Sequence, residues 1–213
     1  MINEQEELTL TSLRERVRPY MSERRLNHTY AVEREVAAIC KVFAVDMEYT
    51  LRAAALLHDI TKELPIEKQL QLCIASDIIY TKEELMTPKI FHSRTAPFVI
   101  KRDFAELATN EILGAVRWHT TGRAGMTLCE QILFLADFIE DTRTFESCVT
   151  LRRFFWDGIE KADSDSERAA HLKDTMIYAF DLTIKELCEE KKPIHADTVA
   201  ARNSFIFGRR VSG

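Results

Sequence analysis

The chain has 213 residues, of which 46% are hydrophobic and 30% charged, with a formal net charge of -5. A chain of this size can bury a substantial core as one domain without disulfide staples. The acidic balance excludes a nucleic-acid binder that works through bulk charge, and no apolar run reaches the length that spans a bilayer. The start, Met1-Ile2-Asn3-Glu4-Gln5-Glu6-Glu7, lacks the basic and apolar regions of a secretory signal, so a cytoplasmic protein is expected.

Helical periodicity runs through nearly every segment, while Gly (6) and Pro (5) are sparse and no alternating strand pattern is present, which predicts an all-α fold. Leu10, Leu13 and Val17 mark a first helix ending near Pro19. Ser22-Glu23 opens a second, with Arg25 and His28 near its start and Val36, Ile39, Cys40 and Phe43 as apolar positions. Asp46 is expected to cap a third, which runs through Leu51, Ala54 and Leu57 to the pair His58-Asp59. Residues 65–76 read as an amphipathic helix and 81–86 as a short one capped by Thr81 and ended by Pro88. His92 then stands at a helix entrance, where backbone donors and an imidazole could face a phosphate together.

Thr109 caps the next helix, which finishes at Trp118-His119-Thr120-Thr121-Gly122-Arg123-Ala124-Gly125, a loop whose composition suits oxyanions. Residues 128–139 form a helix that becomes apolar on every side and carries Asp137. After a polar break at 161–166, a long helix places Met176, Ile177, Phe180, Ile184 and Leu187 at core spacing. Lys191-Lys192-Pro193 ends it, and Asp197 can cap a last helix over 198–207, while His195 is read as structural. The five cysteines have no C-x-x-C spacing and are read as reduced thiols. Phe154, Phe155 and Trp156 are expected as an exposed apolar patch through which the chain could form a homodimer.

Four features carry chemistry. His58-Asp59 ends a run of small apolar residues, and burying that pair is costly unless something positive holds it; a divalent metal is the simplest such partner. Adjacent helical side chains point about 100° apart, so further ligands must come from other helices. Asp137 has no Lys or Arg within one turn, so either a more distant arginine or a metal must compensate it, and the metal is preferred. Lys62 follows Asp59 by three residues and can reach an anion on the same face; its alternative is a solvated lysine pairing with Glu63 or Glu67. Arg143 can bind substrate or cap the preceding helix through Glu140 or Asp141. A His-Asp dipeptide alone is a weak motif, and a lone helical histidine such as His28 is ordinarily a surface or satisfied core residue.

Taken in order, His28, His58-Asp59, His92, His119 and Asp137 form an arrangement that resembles the HD-domain superfamily of metal-dependent phosphohydrolases. Four segments are similar to the YqeK family: Leu56-Leu57-His58-Asp59-Ile60-Thr61-Lys62-Glu63-Leu64-Pro65, Trp118-His119-Thr120-Thr121-Gly122-Arg123, Leu135-Ala136-Asp137-Phe138-Ile139-Glu140 and Ile194-His195-Ala196-Asp197-Thr198-Val199-Ala200-Ala201-Arg202-Asn203. The resemblance covers residues 24–207 and implies an all-α HD-domain helical bundle over residues 1–213. Its parts are an N-terminal helix (1–22), a metal-binding core (23–143) and C-terminal helices packed on that core (144–213).

The resemblance implies symmetrical hydrolysis of the small nucleotide diadenosine tetraphosphate to two ADP, with iron, or manganese or cobalt, as one or two divalent ions. By position, His28, His58, Asp59 and Asp137 are the implied metal ligands, and His92 and His119 are placed for a second ion. Arg25, Lys62, His92, His119, Thr120 and Arg143 are implied nucleotide and phosphate contacts, and the loop residue Arg123 joins them. Phe180, Asp181, Thr183, Ile184 and Lys185 resemble a segment near the nucleotide, departing from it at Leu182, where Asn is common. Asp141-Thr142 and Ser93 also replace the usual Pro-Gly and Gly. Asp59 would orient the attacking water while Lys62, His92 and His119 stabilise charge on the phosphate oxygens. The alternatives are an HD phosphohydrolase acting on a deoxynucleotide, a nucleoside monophosphate or (p)ppGpp, a nucleotide-binding module without turnover, and a di-metal oxygenase.

Overall fold

The computed structural model describes residues 2–210; Met1 and residues 211–213 of the expected domain lie outside the described residues. Among those described there is no strand, and ten α-helices follow one another: α1 (Glu4–Val17), α2 (Glu23–Phe43), α3 (Glu48–Leu57), α4 (Ile66–Ala75), α5 (Phe91–Asp103), α6 (Asn110–Trp118), α7 (Leu128–Ile139), α8 (Glu146–Lys161), α9 (Asp165–Glu189) and α10 (Ala196–Arg210). The fold is all-α, and among the described residues no helix is long and apolar enough to cross a membrane.

Local chemistry starts five of these ten helices. Ser22, Thr109, Thr127 and Ser164 each accept a hydrogen bond from the backbone three residues on, and Asn3, Thr127 and Ser164 complete reciprocal capping boxes with Glu6, Glu130 and Glu167. Helix α3 differs. Asp46 does not cap it, because residues 45–47 form a 3-10 turn that runs into the helix and leaves Met47 at the cap position without a side-chain bond. Burial holds α3 instead: Leu51, Leu56 and Leu57 have no exposed surface, and at about 2 kcal/mol each they outweigh the ~1 kcal/mol of a missing cap.

Helix α3 is the middle of the bundle. It packs on α1, α2, α6 and α7, and the fully buried Ala53, Ala54 and Ala55 let those neighbours approach closely. Helices α2 and α7 also pack on each other, α5 covers α6, and α8, α9 and α10 pack in succession with α9 reaching α7. One apolar core runs from Leu10 in α1 to Phe205 in α10.

Three further expectations are corrected here. Asp197 lies within the first turn of α10 rather than at its cap, and its backbone N–H donates to His195 Nδ1 at 3.2 Å. Helix α5 offers no free entrance, because the 3-10 turn 88–90 joins it directly and uses the amides at its start. Phe155 has no exposed surface and Trp156 is half-buried with its indole N–H on Glu35, so of the expected apolar patch only Phe154 faces outward. Residue 155 faces α9, where His171 stacks against it, a burial that α8 alone does not reveal.

Candidate metal centre

The ends of four helices meet around one small volume. Helix α2 brings Arg25 and His28 in its first turns, α3 ends on His58-Asp59, α6 ends on His119-Thr120, and α7 contributes Asp137 in its last turn. Lys62 enters from the turn after α3, whose shape is fixed by the Lys62 N–H donating to the Asp59 carbonyl at 2.9 Å. His92 enters from α5, where Thr61 Oγ1 donates to its carbonyl at 2.9 Å.

Three of the imidazoles are oriented in the same way. Nδ1 of His58 is 2.6 Å from the Ala55 carbonyl, Nδ1 of His119 is 2.7 Å from the Val116 carbonyl, and Nδ1 of His28 is 3.1 Å from Glu140 Oε1. Tying Nδ1 to an acceptor leaves Nε2 as the lone-pair face, the usual support of a metal-ligating histidine. Those Nε2 atoms converge on carboxylates: His28 Nε2 is 3.0 Å from Asp137 Oδ1, and His58 Nε2 is 3.4 Å from Asp59 Oδ2 and 3.9 Å from Asp137 Oδ1.

These approaches lack hydrogen-bond geometry. His28 Nε2, His58 Nε2 and Asp59 Oδ1 are buried polar atoms without a hydrogen-bond partner. Buried orphan atoms are costly, so three converging on one volume call for a cation between them. The donor atoms of His28, His58 and Asp137, and those of His58, Asp59 and His119, lie within 4.8 Å of one another, a spacing one ion can bridge. Mixed imidazole and carboxylate donors suit a divalent transition metal.

A second group adjoins the first. His92 Nε2 is 2.9 Å from His119 Nε2, Thr120 Oγ1 is 3.1 Å from both, and Lys62 Nζ is 3.1 Å from His92 Nε2. Asp59 Oδ1 faces the group at 3.2 Å from His92 Nε2 and 3.7 Å from His119 Nε2, while Asp59 Oδ2 accepts from Arg25 Nη1 at 2.8 Å.

The electrostatics follow from burial and charge together. Burial favours a neutral Asp59, but the fields of His58 and Lys62 prevail and hold its carboxyl well below the usual range. Asp137 is likewise held low, against its burial, by Arg143, whose Nη2 lies 2.6 Å away and whose own proton is held more tightly in return. Burial opposes a charge on His28, yet Asp137 and Glu140 outweigh it and raise that imidazole to about 9. His92 is pushed down to about 3 by burial and by Lys62, and burial lowers His119 too, so both stay neutral and able to ligate.

The structure thus brings Arg25, His28, His58, Asp59, Lys62, His92, His119, Thr120, Asp137 and Arg143 together. Arg143 returns to Asp137 because Arg152 of α8 donates to the carbonyls of Ile139, Glu140 and Arg143 and clamps the turn. The compensation foreseen for Asp137 as either arginine or metal therefore already includes an arginine.

Other expected contacts are engaged elsewhere. Arg123 pairs with the buried Glu130 at 3.0 Å. Phe180 is fully buried beneath Gly122, whose φ of +64 and 2.6 Å approach of an added Cβ to the Phe180 ring leave room for no side chain. Asp181 pairs with Arg202 at 2.7 Å, Thr183 donates to the Ala179 carbonyl, Ile184 is half-buried, and Lys185 is exposed 3.9 Å from Glu189.

Glu140 has a larger part than the helix pairing foreseen for it. It has no exposed surface, contacts His28 Nδ1, and is held by the Thr142 N–H at 2.6 Å and the Thr142 hydroxyl at 2.8 Å. The signal for it is its spacing: it follows Asp137 by three residues, which places both carboxylates on one face of α7.

Comparison with known proteins gives concordant results. The HD domain family model matches residues 25–140. The chain is 27% identical over 192 residues to the symmetrical bis(5'-nucleosyl)-tetraphosphatase of Bacillus subtilis (strain 168), covering 90% of this chain and 95% of that one. It is also 27% identical over 199 residues to the protein of that name from Halalkalibacterium halodurans, covering 91% and 95%. A crystal structure from Clostridium acetobutylicum, described as a predicted HD superfamily hydrolase involved in NAD metabolism, superposes with a TM-score of 0.78 at 25% identity, covering 92% of this chain and 96% of that one. With its histidine and aspartate donors converging at the ends of α2, α3, α6 and α7, and the family model matching residues 25–140, the chain belongs to the HD domain family.

Proposed function

We propose that this chain is a metal-dependent phosphohydrolase that cleaves diadenosine tetraphosphate symmetrically to two ADP, and that it acts as a single HD domain. The observation that carries the reading is the set of orphaned His28 Nε2, His58 Nε2 and Asp59 Oδ1 atoms beside three cationic side chains, Arg25, Lys62 and Arg143. The names of the relatives from Bacillus subtilis and Halalkalibacterium halodurans support the substrate.

In this reading His28, His58, Asp59 and Asp137 hold a divalent ion, with iron favoured and manganese or cobalt as substitutes, and His92 and His119 serve a second ion where one binds. Such an ion supplies Lewis-acid polarisation of a phosphoryl oxygen and makes a water molecule acidic enough to attack at neutral pH. The protein supplies the rest. Arg25, Lys62 and Arg143, each held on Asp59 or Asp137, present fixed positive charge to the polyphosphate, and His119 and Thr120 orient oxygens beside it. Asp59, with Oδ2 on Arg25 and Oδ1 without a hydrogen-bond partner, is placed to orient the water. The water oxygen bonds to the second phosphorus from one end, the bond from that phosphorus to the central bridging oxygen breaks, and ADP leaves on each side.

The test is chromatography of products after metal-stripped protein meets diadenosine tetraphosphate, with and without ferrous, manganous or cobaltous ion. Two ADP per substrate, formed only with metal, is the expected result, and Asp59→Ala is expected to lose metal binding and hydrolysis together. AMP with ATP, or full activity in Asp59→Ala, would overturn the proposal. Turnover of a different nucleotide in a parallel panel would move the function to that substrate.

A further inference from the structure

Residues two apart on a helix point about 200° apart, so Arg94 and Arg117 face away from His92 and His119, on the opposite side of the α5–α6 pair. There, α5, α6 and the chain that follows α4 enclose an open cleft of about 780 Å³, with Arg94, Lys101 and Arg117 in its lining beside Phe98 and Trp118. None of these cations belongs to the metal centre.

Arg117 is the unexplained group. It is half-buried, its guanidinium carbon lies 4.0 Å from the centre of the Trp118 ring, and among the described residues no hydrogen bond or ion pair reaches it. Burial and the neighbouring Arg94 bring its proton affinity down to about 10. Arg94 donates to Glu84 at 2.7 Å and to the Ile79 carbonyl at 2.5 Å, which leaves its buried Nε without a partner. Lys101 is exposed.

The nearby carboxylates act on Arg117 from a distance without pairing with it: Glu84 is shared by Arg94 and His195, at 2.7 and 3.0 Å, and Asp197 lies 3.5 Å from His195 Nδ1. Asp77 is the carboxylate in the cleft lining. The Arg117 guanidinium rests on the Trp118 ring face, and its donors are left for a ligand.

We propose that this cleft binds a compact phosphoanion, either the phosphates of a nucleotide or an inorganic polyphosphate, with Arg117 and Lys101 as donors, Arg94 adding its charge from behind its pair with Glu84, and Trp118 as the wall. A chain of phosphate oxygens offers acceptors to both donors at once, and bidentate contact with guanidinium is its strongest mode. The site is separate from the substrate's: its cations are reached from the other face of α5 and α6.

The chain has two tryptophans, so Trp156→Phe leaves Trp118 as the one indole reporter in the cleft. Metal-free Trp156→Phe protein is titrated with inorganic pyrophosphate and, separately, with ADP, reading indole emission. The expected result is a saturable change that Arg117→Gln weakens by at least about 10-fold, that Lys101→Gln weakens less, and that Arg25→Gln at the metal centre leaves in place. Tighter binding of ADP than of pyrophosphate assigns the cleft to a nucleotide, and equal binding assigns it to the phosphate chain. Arg117→Gln is also expected to match or exceed the parent in Tm without ligand, because it removes a half-buried charge with no ion pair of its own among the described residues. Should that variant fail to fold, Lys101→Gln, on an exposed residue, decides the matter. No saturable change up to about 10 mM of either probe, or one lost in Arg25→Gln and unaltered in Arg117→Gln and Lys101→Gln, overturns the proposal.

Discussion

Glu140 shows how much of a metal centre lies one contact beyond its ligands. Fully buried, it fixes the His28 ring through Nδ1 and so decides where Nε2 points. The field of that carboxylate also raises the basicity of the imidazole, which strengthens a ligand bond. Glu140→Ala is expected to lower affinity for the divalent ion about 10- to 100-fold, as read by calorimetric titration, with Glu140→Gln intermediate because its amide can still bond the ring. Unchanged affinity in Glu140→Ala would remove the residue from the centre. At this scale the sequence was partly legible. His58, Asp59 and Asp137 stood out because charged groups in apolar helices need compensation, whereas the Arg143 pair with Asp137 depends on a turn that Arg152 closes from another helix.

Among the elements, α2 matters most, since its first turns carry Arg25 and His28. Its N-terminus is fastened twice. Ser22 caps it, and Glu63 accepts from the Ser22 N–H at 2.6 Å and the Ser22 hydroxyl at 2.7 Å, joining the helix start to the turn that bears Lys62. Ser22→Ala is expected to cost about 1 kcal/mol, a fall in Tm of roughly 2–4 °C for a chain of this size, by differential scanning fluorimetry. The Ser22 N–H, foremost among its causes, holds the Glu63 carboxyl below its ordinary value. A carboxylate depressed in the folded state stabilises above its unfolded pKa, about 4.3, and that contribution vanishes as pH falls through the folded pKa. The Tm advantage of the parent over Glu63→Gln is therefore expected at pH 7 and is lost as pH falls through the folded pKa; a constant difference would show that charge is not involved. Helix starts of this kind were legible, because a cap acts over three residues. The Asp46 cap was not, because whether a 3-10 turn precedes α3 depends on how α2 and α3 pack.

For the molecule as a whole, an ion held as proposed by α2, α3 and α7 would tie the middle of the bundle to its flanks, and a ligand that binds only the folded state stabilises it by mass action. Saturation to 100-fold above Kd contributes about 2.7 kcal/mol, so added ferrous or manganous ion is expected to raise Tm by roughly 5–10 °C, and a chelator to reverse it. Scanning calorimetry of stripped and reloaded protein reads this directly, and coincident transitions would refute a structural ion. The same scale decided the surface: Phe155 reads as exposed in α8 alone and is fully buried against α9.

The sequence by itself determined the all-α class, most helix limits, the burial of His58 and Asp59, and the family whose residue order they share with Asp137. Those features rest on period, caps and the cost of buried charge, all of which act locally along the chain. Tertiary structure alone decided which groups share one volume: that Arg143 serves Asp137, that Glu140 holds His28, that Arg123 turns to Glu130, and that Arg117 lies in the field of Arg94 with no ion pair of its own among the described residues. Side chains up to more than a hundred residues apart meet there, and their meeting is fixed by how helices pack, which periodicity does not encode.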